Sequence, residues 1–437
     1  MEQYQCPKGV FDLLPNPTAE GESWKNTHLW LYVEEVIRSV ATQFGYREIR
    51  TPIFERTELF TRSVGESSDI VTKEMYTFLD KGGRSMTLRP EGTASVIRAL
   101  IEHRLDLNDP IQKYFYMGPM FRYERPQGGR YRQLHQFGAE AVGISTPEQD
   151  VEMIHLLCTI YERLGLSNLH VMVNSVGNSR ARENYRARLR SFLQPRFDEL
   201  SDDSQRRFTD NPLRILDSKS PEDQKILEGA PLLCECLDED SALHFDRVQE
   251  LLGELKIAYS INEKLVRGLD YYNHTVFEVT SSDLFAHNTI GAGGRYDGLS
   301  KQLGGPDLPS VGFATGIERI IQTMQRQNAF FPNKNHPYLF LAPIGEKAEV
   351  FCFALLCQLR TSGIATEMSL KKGVKIGSLL KLASDVGAAY TLVIGDHELH
   401  IGKASLKEML TGNKEDIALA SIGKEIEKLW RLKKEEN

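Results

Sequence analysis

The chain has 437 residues, a length typical of two to three domains. Hydrophobic residues make up 41% and charged residues 26%, which is ordinary for a globular protein, and 34 glycines with 18 prolines exclude collagen-like and low-complexity chains. The formal net charge of −7 does not by itself indicate a nucleic-acid-binding protein. We find no membrane-spanning apolar run, no signal-peptide pattern and no zinc-like spacing of cysteines, so a cytoplasmic protein with reduced thiols is expected.

The first third of the chain mixes predicted helices and strands. Apolar residues at helical spacing predict a helix over 24–44, followed by a short strand over 46–53. The turn residues 80–83 separate two apolar runs and predict a hairpin. Further patterns predict helices over 91–103 and 148–164 and strands over 112–119, 121–125 and 134–143. Because strands outnumber crossover helices, we expect an α+β fold with a largely antiparallel sheet flanked by helices.

The later sequence changes character twice. Residues 175–260 are polar and helix-prone, and we interpret them as an inserted subdomain that interrupts a domain over 1–330. A loop cluster over 331–337 then precedes strands and helices in alternation, which predicts a C-terminal α/β domain over 337–437. The acidic excess lies before this loop cluster, and the C-terminal domain is close to neutral.

The densest charge cluster is FRYERPQGGRYR over 121–132, where four arginines and one glutamate surround a Pro/Gly loop. Guanidinium groups match phosphate or carboxylate oxygens in a bidentate fork. Arg122 and Glu124 would share one face of a strand, which favours a polar site. A solvated basic turn is the alternative interpretation.

The next predicted strand carries polar residues on one face. Leu134, Gln136, Gly138 and Glu140 point to one side by the period of two, whereas Phe137 points to the other. Gln136 and Glu140 could line a small-ligand pocket in which Gly138 leaves room. The solvent face of a half-buried strand would show the same pattern.

Four shorter motifs each have an ordinary structural explanation. TLRPEGT over 87–93 places Glu91 and Thr93 at a helix start, where helix capping alone would account for them. RGLDYY over 267–272 pairs tyrosines that could stack in a core. GAGGRYDG over 291–298 is a glycine-rich turn opening a helix, and GFATGIER over 312–319 is a strand–glycine–helix junction.

Together these motifs resemble the class II aminoacyl-tRNA synthetases, and specifically the histidyl-tRNA synthetase family. FRYE…RYRQLHQFGAE is similar to the second motif of the class and GFATGIER to the third, with the first motif over 45–52. RGLDYY and GAGGRYDGL resemble the two histidine-specific signatures, and TLRPEGT resembles the amino-acid-binding loop. The resemblance covers nearly the whole chain and implies a class II synthetase-like sheet, a helical insertion and an anticodon-binding-type C-terminal domain.

The resemblance implies a two-step ligase reaction. L-histidine and ATP would form histidyl-adenylate and pyrophosphate, and the 3′ end of tRNA(His) would then accept the histidyl group and release AMP. Both steps depend on orientation and charge neutralisation. Mg²⁺ bridging phosphate oxygens is the implied cofactor, with no protein metal ligands expected. The first motif implies a homodimer.

The resemblance also implies roles for individual residues. For ATP, Arg122 would bind the α-phosphate, Arg319 the γ-phosphate, Arg130 the pyrophosphate end and Glu124 the adenine side. Arg267 would approach the α-phosphate and the histidine carboxylate from the opposite side. The histidine-binding residues would be Glu91, Thr93 and Gln136 at the α-ammonium group and Glu140, Tyr271, Tyr272 and Tyr296 around the imidazole.

Two basic surfaces are candidates for tRNA contact. Arg182, Arg186 and Arg190 share a helix face in the insertion, which in this family lies over the acceptor stem. The C-terminal domain carries a lysine cluster at Lys371, Lys372, Lys375 and Lys381. Both sets could also be ordinary solvated charge.

Two other functions are possible for such a chain. A regulatory paralogue that supports the first enzyme of histidine biosynthesis usually lacks the C-terminal domain and the catalytic arginines. A tRNA-sensing module without catalysis belongs to much longer chains. Both are disfavoured by the presence of Arg122, Arg267, Arg319 and the C-terminal domain.

One departure from the family pattern concerns adenine. Class II enzymes usually stack a phenylalanine on the base, and strand parity assigns that position to Leu134 because Phe137 faces the other side. We predict that Leu134→Phe lowers the KM for ATP by about two- to tenfold, the equivalent of one aromatic stack. ATP–pyrophosphate exchange measures this, and an unchanged or raised KM for ATP would contradict the assignment.

Overall fold

The structure is a computed structural model that describes residues 4–65, 68–107, 109–124, 130–284, 288–332, 336–371 and 373–435. The chain divides into two compact units, Met1–Phe331 and Pro332–Asn437. Within the described ranges, no helix is both long and apolar enough to cross a membrane.

The first unit is built on an eight-stranded sheet and a separate three-stranded sheet. Its strands are β1 Arg47–Glu48, β2 Phe54–Arg56, β3 Tyr76–Leu79, β4 Ser85–Leu88, β5 Gln112–Phe121, β6 Gln133–Val142, β7 Leu169–Ser175, β8 Tyr259–Ile261, β9 Asn273–Ser281, β10 Thr289–Arg295 and β11 Ser310–Gly316. The large sheet has the order β1-β5-β6-β11-β10-β9-β7-β8, and the small one β2-β4-β3. Neighbours in the large sheet are antiparallel except at the two edges, β1 with β5 and β7 with β8. The α+β prediction is therefore confirmed.

Helices cover one face of the large sheet. The helices of this unit are α1 Thr27–Gln43, α2 Thr57–Val64, α3 Thr93–Glu102, α4 Pro147–Arg163, α5 Ser179–Leu193, α6 Asp202–Asp210, α7 Pro221–Ile226, α8 Glu239–Glu254, α9 Leu299–Gln302 and α10 Ile317–Arg326. Ile37 of α1, Leu157 of α4 and Ile320 of α10 are fully buried with Phe137 and Phe313 of the sheet in one core. The opposite face of β6 carries Gln136 and Glu140, as the alternation of that strand predicts, and α3 packs there through Val96 and Leu100 with Tyr116 and Val142.

The inserted segment has a small core of its own. Tyr185, Leu189, Ile215 and Leu233 are buried together there. Helix α8 instead packs in the main core through residues such as Leu252. The boundaries 175–260 stay a prediction, and this core also includes Leu265, Val266 and Val276, which follow α8 in the chain.

The second unit is a five-stranded α/β domain. Its strands are β12 Leu339–Ile344, β13 Thr366–Met368, β14 Tyr390–Gly395, β15 Lys403–Glu408 and β16 Lys414–Ala418, and its helices are α11 Glu346–Thr361, α12 Ile376–Asp385, α13 Asp396–Ile401 and α14 Ile422–Glu435. The sheet order is β13-β12-β14-β15-β16, with β12 parallel to β13 and β14. The predicted strand–helix alternation is confirmed, and a terminal antiparallel hairpin with α14 extends it.

Three local predictions are wrong. The strand expected over 46–53 is only Arg47–Glu48, and the strand expected over 121–125 ends earlier, in β5 at Phe121. The glycine-rich stretch GAGGR is not a turn but the interior strand β10. Glycine is required there by close approach, since a Cβ on Gly293 would lie 2.2 Å from the carbonyl oxygen of Gly312. The glycines that suggested a turn are therefore required by the tight packing of β10 against its neighbouring strand.

Candidate active site

A cavity of about 410 Å³ opens on the polar face of the large sheet. Strands β6, β9, β10 and β11 and the start of α10 contribute to its wall. Seven residues singled out from the sequence line it together: Arg122, Glu124, Arg130, Leu134, Gln136, Arg267 and Arg319. Three separate motifs, FRYE…RYRQLHQFGAE, RGLDYY and GFATGIER, thus converge on one concave site.

Each arginine in the cavity is held by a neighbour. The Arg122 Nε donates to the carbonyl oxygen of Pro90 at 2.9 Å, which connects the motif after β5 to the TLRPEGT loop. The Arg267 Nη1 donates to Glu278 Oε2 at 2.7 Å, and the Arg130 Nε lies 3.2 Å from a carboxylate oxygen of Glu124. Preorganised guanidinium groups of this kind suit a polyanionic ligand, because little ordering entropy remains to be lost.

Arg319 reaches the cavity from the first turn of α10. Its Nη1 donates to the carbonyl oxygen of Thr289 on β10, so the third motif is fixed against the sheet. Burial lowers the pKa of Arg319, and the nearby Arg130 lowers it further. A negatively charged ligand between these two cations would relieve their mutual repulsion.

A buried carboxyl group lies further along β6. Glu140 is fully buried and accepts hydrogen bonds from Thr93 Oγ1 at 2.7 Å, Tyr116 Oη at 3.2 Å and the Tyr296 hydroxyl. Burial raises the pKa of Glu140 from 4.5 to about 8, although the hydroxyl donors oppose this shift. Glu140 and Gln136 lie on the same face of β6, four residues apart, and of the two only Gln136 lines the arginine-rich cavity.

Tyr271 and Tyr272 lie beside Tyr296, one of the two tyrosines that are bonded to Glu140. The ring centroids of Tyr271 and Tyr272 lie 4.7 Å apart, and those of Tyr271 and Tyr296 lie 5.5 Å apart. Burial raises the pKa of Tyr272 to about 12, and Arg267 opposes that shift. The pKa values of Tyr271 and Tyr296 are raised by burial as well, so the three tyrosines remain neutral hydrogen-bonding groups at neutral pH.

Glu91 caps the start of helix α3, which is the structural role that its position in the sequence allowed. Its carboxylate accepts from the backbone N–H groups of Thr93 at 2.7 Å and Ala94 at 2.9 Å, at the start of α3. Burial nevertheless raises the pKa of Glu91. Helix capping accounts for this geometry, and Glu91 remains within the same buried cluster as Glu140, which its charge influences.

Comparisons with known proteins match both units. The histidyl-tRNA synthetase family model matches residues 25–320, and the anticodon binding domain model matches residues 339–429. A histidine–tRNA ligase of Protochlamydia amoebophila is 54% identical over 96% of this chain and 98% of its own length. One from Desulfitobacterium hafniense is 46% identical over 99% of each chain.

The chain belongs to the histidyl-tRNA synthetase family. The crystal structure of apo histidyl-tRNA synthetase from S. aureus is also similar, with a TM-score of 0.81 and 36% identity, covering 97% of this chain and 100% of that one. The family resemblance drawn from the motifs is thus confirmed.

Two residues that contact the predicted site residues, Tyr116 and Glu278, were not predicted from the sequence. Tyr116, which bonds to Glu140, pairs with Gly138 across β5 and β6, and a Cβ on Gly138 would lie 2.3 Å from its ring. The room at Gly138 is therefore filled by Tyr116 and not by ligand. Glu278, the partner of Arg267, was detectable as the one charged residue inside the apolar strand VFEV.

Two of the three insertion arginines have structural partners. Arg182 Nη1 donates to the carbonyl oxygen of Tyr272 at 2.7 Å, and Arg190 Nη2 donates to that of Thr209 at 2.7 Å. These two side chains thus also hold the fold together, and contact of this helix face with tRNA stays a prediction. Arg125 with the loop 126–129, and Lys372 of the C-terminal lysine cluster, lie outside the described residues.

The raised pKa of Glu140 makes stability depend on pH. The folded chain retains a proton that the unfolded chain loses above pH 4.5, so burial of Glu140 costs stability as pH rises towards 8. We predict that Glu140→Gln gains stability relative to the unchanged chain between pH 5 and 9, by at most about 5 kcal/mol.

Thermal unfolding of the ligand-free protein at several pH values measures this difference. Glu254→Gln, at an exposed position near the end of α8, is the matched control for the loss of one carboxylate. A stability difference for Glu140→Gln that is the same at pH 5 and pH 9 would contradict the assignment.

Proposed function

We propose that this chain is a histidine–tRNA ligase that forms histidyl-adenylate from L-histidine and ATP and transfers the histidyl group to tRNA(His). The observation that carries the proposal is the placement of Gln136 and Glu140 on one face of β6. Gln136 lines the arginine-rich cavity, and Glu140 on the same strand face is a buried acceptor bonded to Thr93, Tyr116 and Tyr296. An arginine-lined cavity suits the polyanion ATP, and a buried carboxyl group among tyrosine hydroxyls suits a small polar ring such as imidazole.

The arginines act on ATP by charge neutralisation. Arg122 grips the α-phosphate and Arg319 the γ-phosphate, with Arg130 at the pyrophosphate end. Arg267 binds the α-phosphate and the histidine carboxylate, and so brings two anionic reactants together. As negative charge grows on the leaving pyrophosphate, these fixed cations stabilise the transition state. Glu124 and Leu134 lie at the adenine side.

Histidine binds in the pocket around Glu140. Glu140 and Tyr272 hydrogen-bond the imidazole ring, with Tyr296 and Tyr271 beside it. Glu91, Thr93 and Gln136 hold the α-ammonium group, and the buried Gln136 Oε1 has no hydrogen-bond partner among the described residues. A ring N–H donated to Glu140 favours the ionised carboxylate, so histidine binding opposes the burial that raises its pKa.

Mg²⁺ fits this site as a companion of ATP. The cavity is lined by the carboxylates of Glu124 and Glu278, and carboxylate oxygen is the ligand type that Mg²⁺ prefers. In keeping with the expectation of no protein metal ligands, these two residues would contact the waters of the ion, and the bound ion would neutralise phosphate charge. The chain's own arginines orient the triphosphate and neutralise the rest of its negative charge.

The remaining partners are tRNA and a second copy of the chain. The lysine cluster of the second unit includes Lys371, Lys375 and Lys381, all exposed, which supports contact with the tRNA backbone. The small sheet that follows the first motif exposes Phe54, Phe78 and Leu79, an apolar surface that supports homodimerisation. We place the protein in the cytoplasm, where its thiols stay reduced.

The function is tested by histidine-dependent exchange of pyrophosphate into ATP. We expect the purified chain to catalyse exchange with histidine, and Arg267→Ala to reduce kcat/KM by at least about 100-fold, the scale of one lost charge-stabilising contact. Absence of exchange in the unchanged chain, beside an active control synthetase, would contradict the proposal and favour a regulatory or sensing role.

The lysine cluster separates tRNA binding from catalysis. Combined alanine substitution at Lys371, Lys375 and Lys381 should raise the KM for tRNA and leave pyrophosphate exchange unchanged, because these residues belong to the second unit. Equal loss in both assays would contradict this division.

A further inference from the structure

The inserted subdomain contributes to the wall of the adenylation cavity. Asp217 and Lys219 line it together with Arg267 and Glu278 of the sheet. Both residues follow the short 3₁₀ helix Pro212–Ile215 of the insertion. The insertion is thus close enough to touch the ligands of the cavity itself.

The backbone around Lys219 is fixed by burial. Ser218 is buried and its hydroxyl donates to Asp223, whose Oδ2 also accepts from Ser204 at 2.6 Å. Ile215 is fully buried in the small core of the insertion. Asp217 and Lys219, on either side of Ser218, are exposed towards the cavity. Lys219 therefore projects from an anchored position and not from a loose loop.

Two contacts attach this segment to the catalytic part of the unit. Arg207 and Arg214 both donate to Asp69 Oδ2 at 3.1 Å, just before a π-helical turn. Asn211 Nδ2 donates to Asp270 Oδ1 at 2.7 Å, and Asp270 belongs to the RGLDYY motif. These three hydrogen bonds attach the segment that leads to Lys219 to Asp69 and to the RGLDYY motif.

The charge of the cavity leaves a role for another cation. Arg267 is paired with Glu278 and Arg130 with Glu124, so two of the four cavity arginines are already partly neutralised. The triphosphate of ATP brings several negative charges into the same space. A flexible ammonium group can follow a phosphate that moves during reaction, which a fixed guanidinium cannot.

We propose that Lys219, supplied by the inserted subdomain, is an additional binding residue for the phosphates of ATP, and that Asp69 positions it through Arg207 and Arg214. The inference rests on the proposed ligase activity. It makes the insertion part of the adenylation site, and not only a surface for tRNA.

Steady-state pyrophosphate exchange with Lys219→Ala tests the inference. We expect the KM for ATP to rise about tenfold, the equivalent of one lost charge-assisted hydrogen bond. The KM for histidine should change less than twofold, and Lys219→Arg should restore most of the ATP affinity. Lys225→Ala, at an exposed position on α7 away from the cavity, is the matched control.

The positioning role is tested in a double-variant cycle. As a single substitution, Asp69→Asn should raise the KM for ATP and leave that for histidine unchanged. Adding it to Lys219→Ala should cause no further rise, because both act through the same contact. An additive effect would overturn the role of Asp69.

Three outcomes would overturn the role of Lys219. These are an unchanged KM for ATP, a parallel rise in the KM for histidine, or a defect confined to tRNA charging. Failure of the ligase proposal itself would look different, since the unchanged chain would then show no exchange.

Discussion

The buried carboxyl group of Glu140 is the constraint on which the rest of the site depends. A carboxyl group without solvent must be surrounded by hydrogen-bond donors, and Thr93, Tyr116 and Tyr296 meet that need from α3, β5 and the residue after β10. Three elements distant in sequence are therefore held together by one side chain. The same arrangement leaves the carboxyl ready to accept a further donor, and an imidazole N–H is such a donor.

The antiparallel sheet makes this arrangement possible. Alternation along β6 sends Phe137 into the main core and Gln136 and Glu140 to the opposite face. Glycines let neighbours approach closely, because a Cβ on Gly138 would meet the ring of Tyr116 and one on Gly312 would meet Glu140. The rigid sheet therefore positions the cavity arginines and the buried Glu140 relative to each other, and catalysis by orientation needs that rigidity.

Much of the fold and site was predictable from local pattern. Alternation identified the face of β6, and the converging motifs identified seven of the residues that line the cavity. The interior strand β10 was mistaken for a turn, because glycine composition does not distinguish a flexible loop from tight packing. Tyr116 and Lys219 were missed for another reason. Their importance arises from the pairing of β5 with β6 and from the folding of the insertion onto the cavity, and both are long-range contacts.

The central claim is that Glu140 selects the substrate by its imidazole N–H. The most direct measurement compares kcat/KM in pyrophosphate exchange for histidine and for β-(2-thienyl)alanine, which keeps the ring size and lacks both ring nitrogens. The account predicts discrimination of about 10⁴ in the unchanged chain, because the analogue leaves buried polar groups unpaired. In Glu140→Gln this ratio should fall at least about tenfold, because kcat/KM falls for histidine and stays unchanged for the analogue. Equal discrimination in both proteins would contradict it.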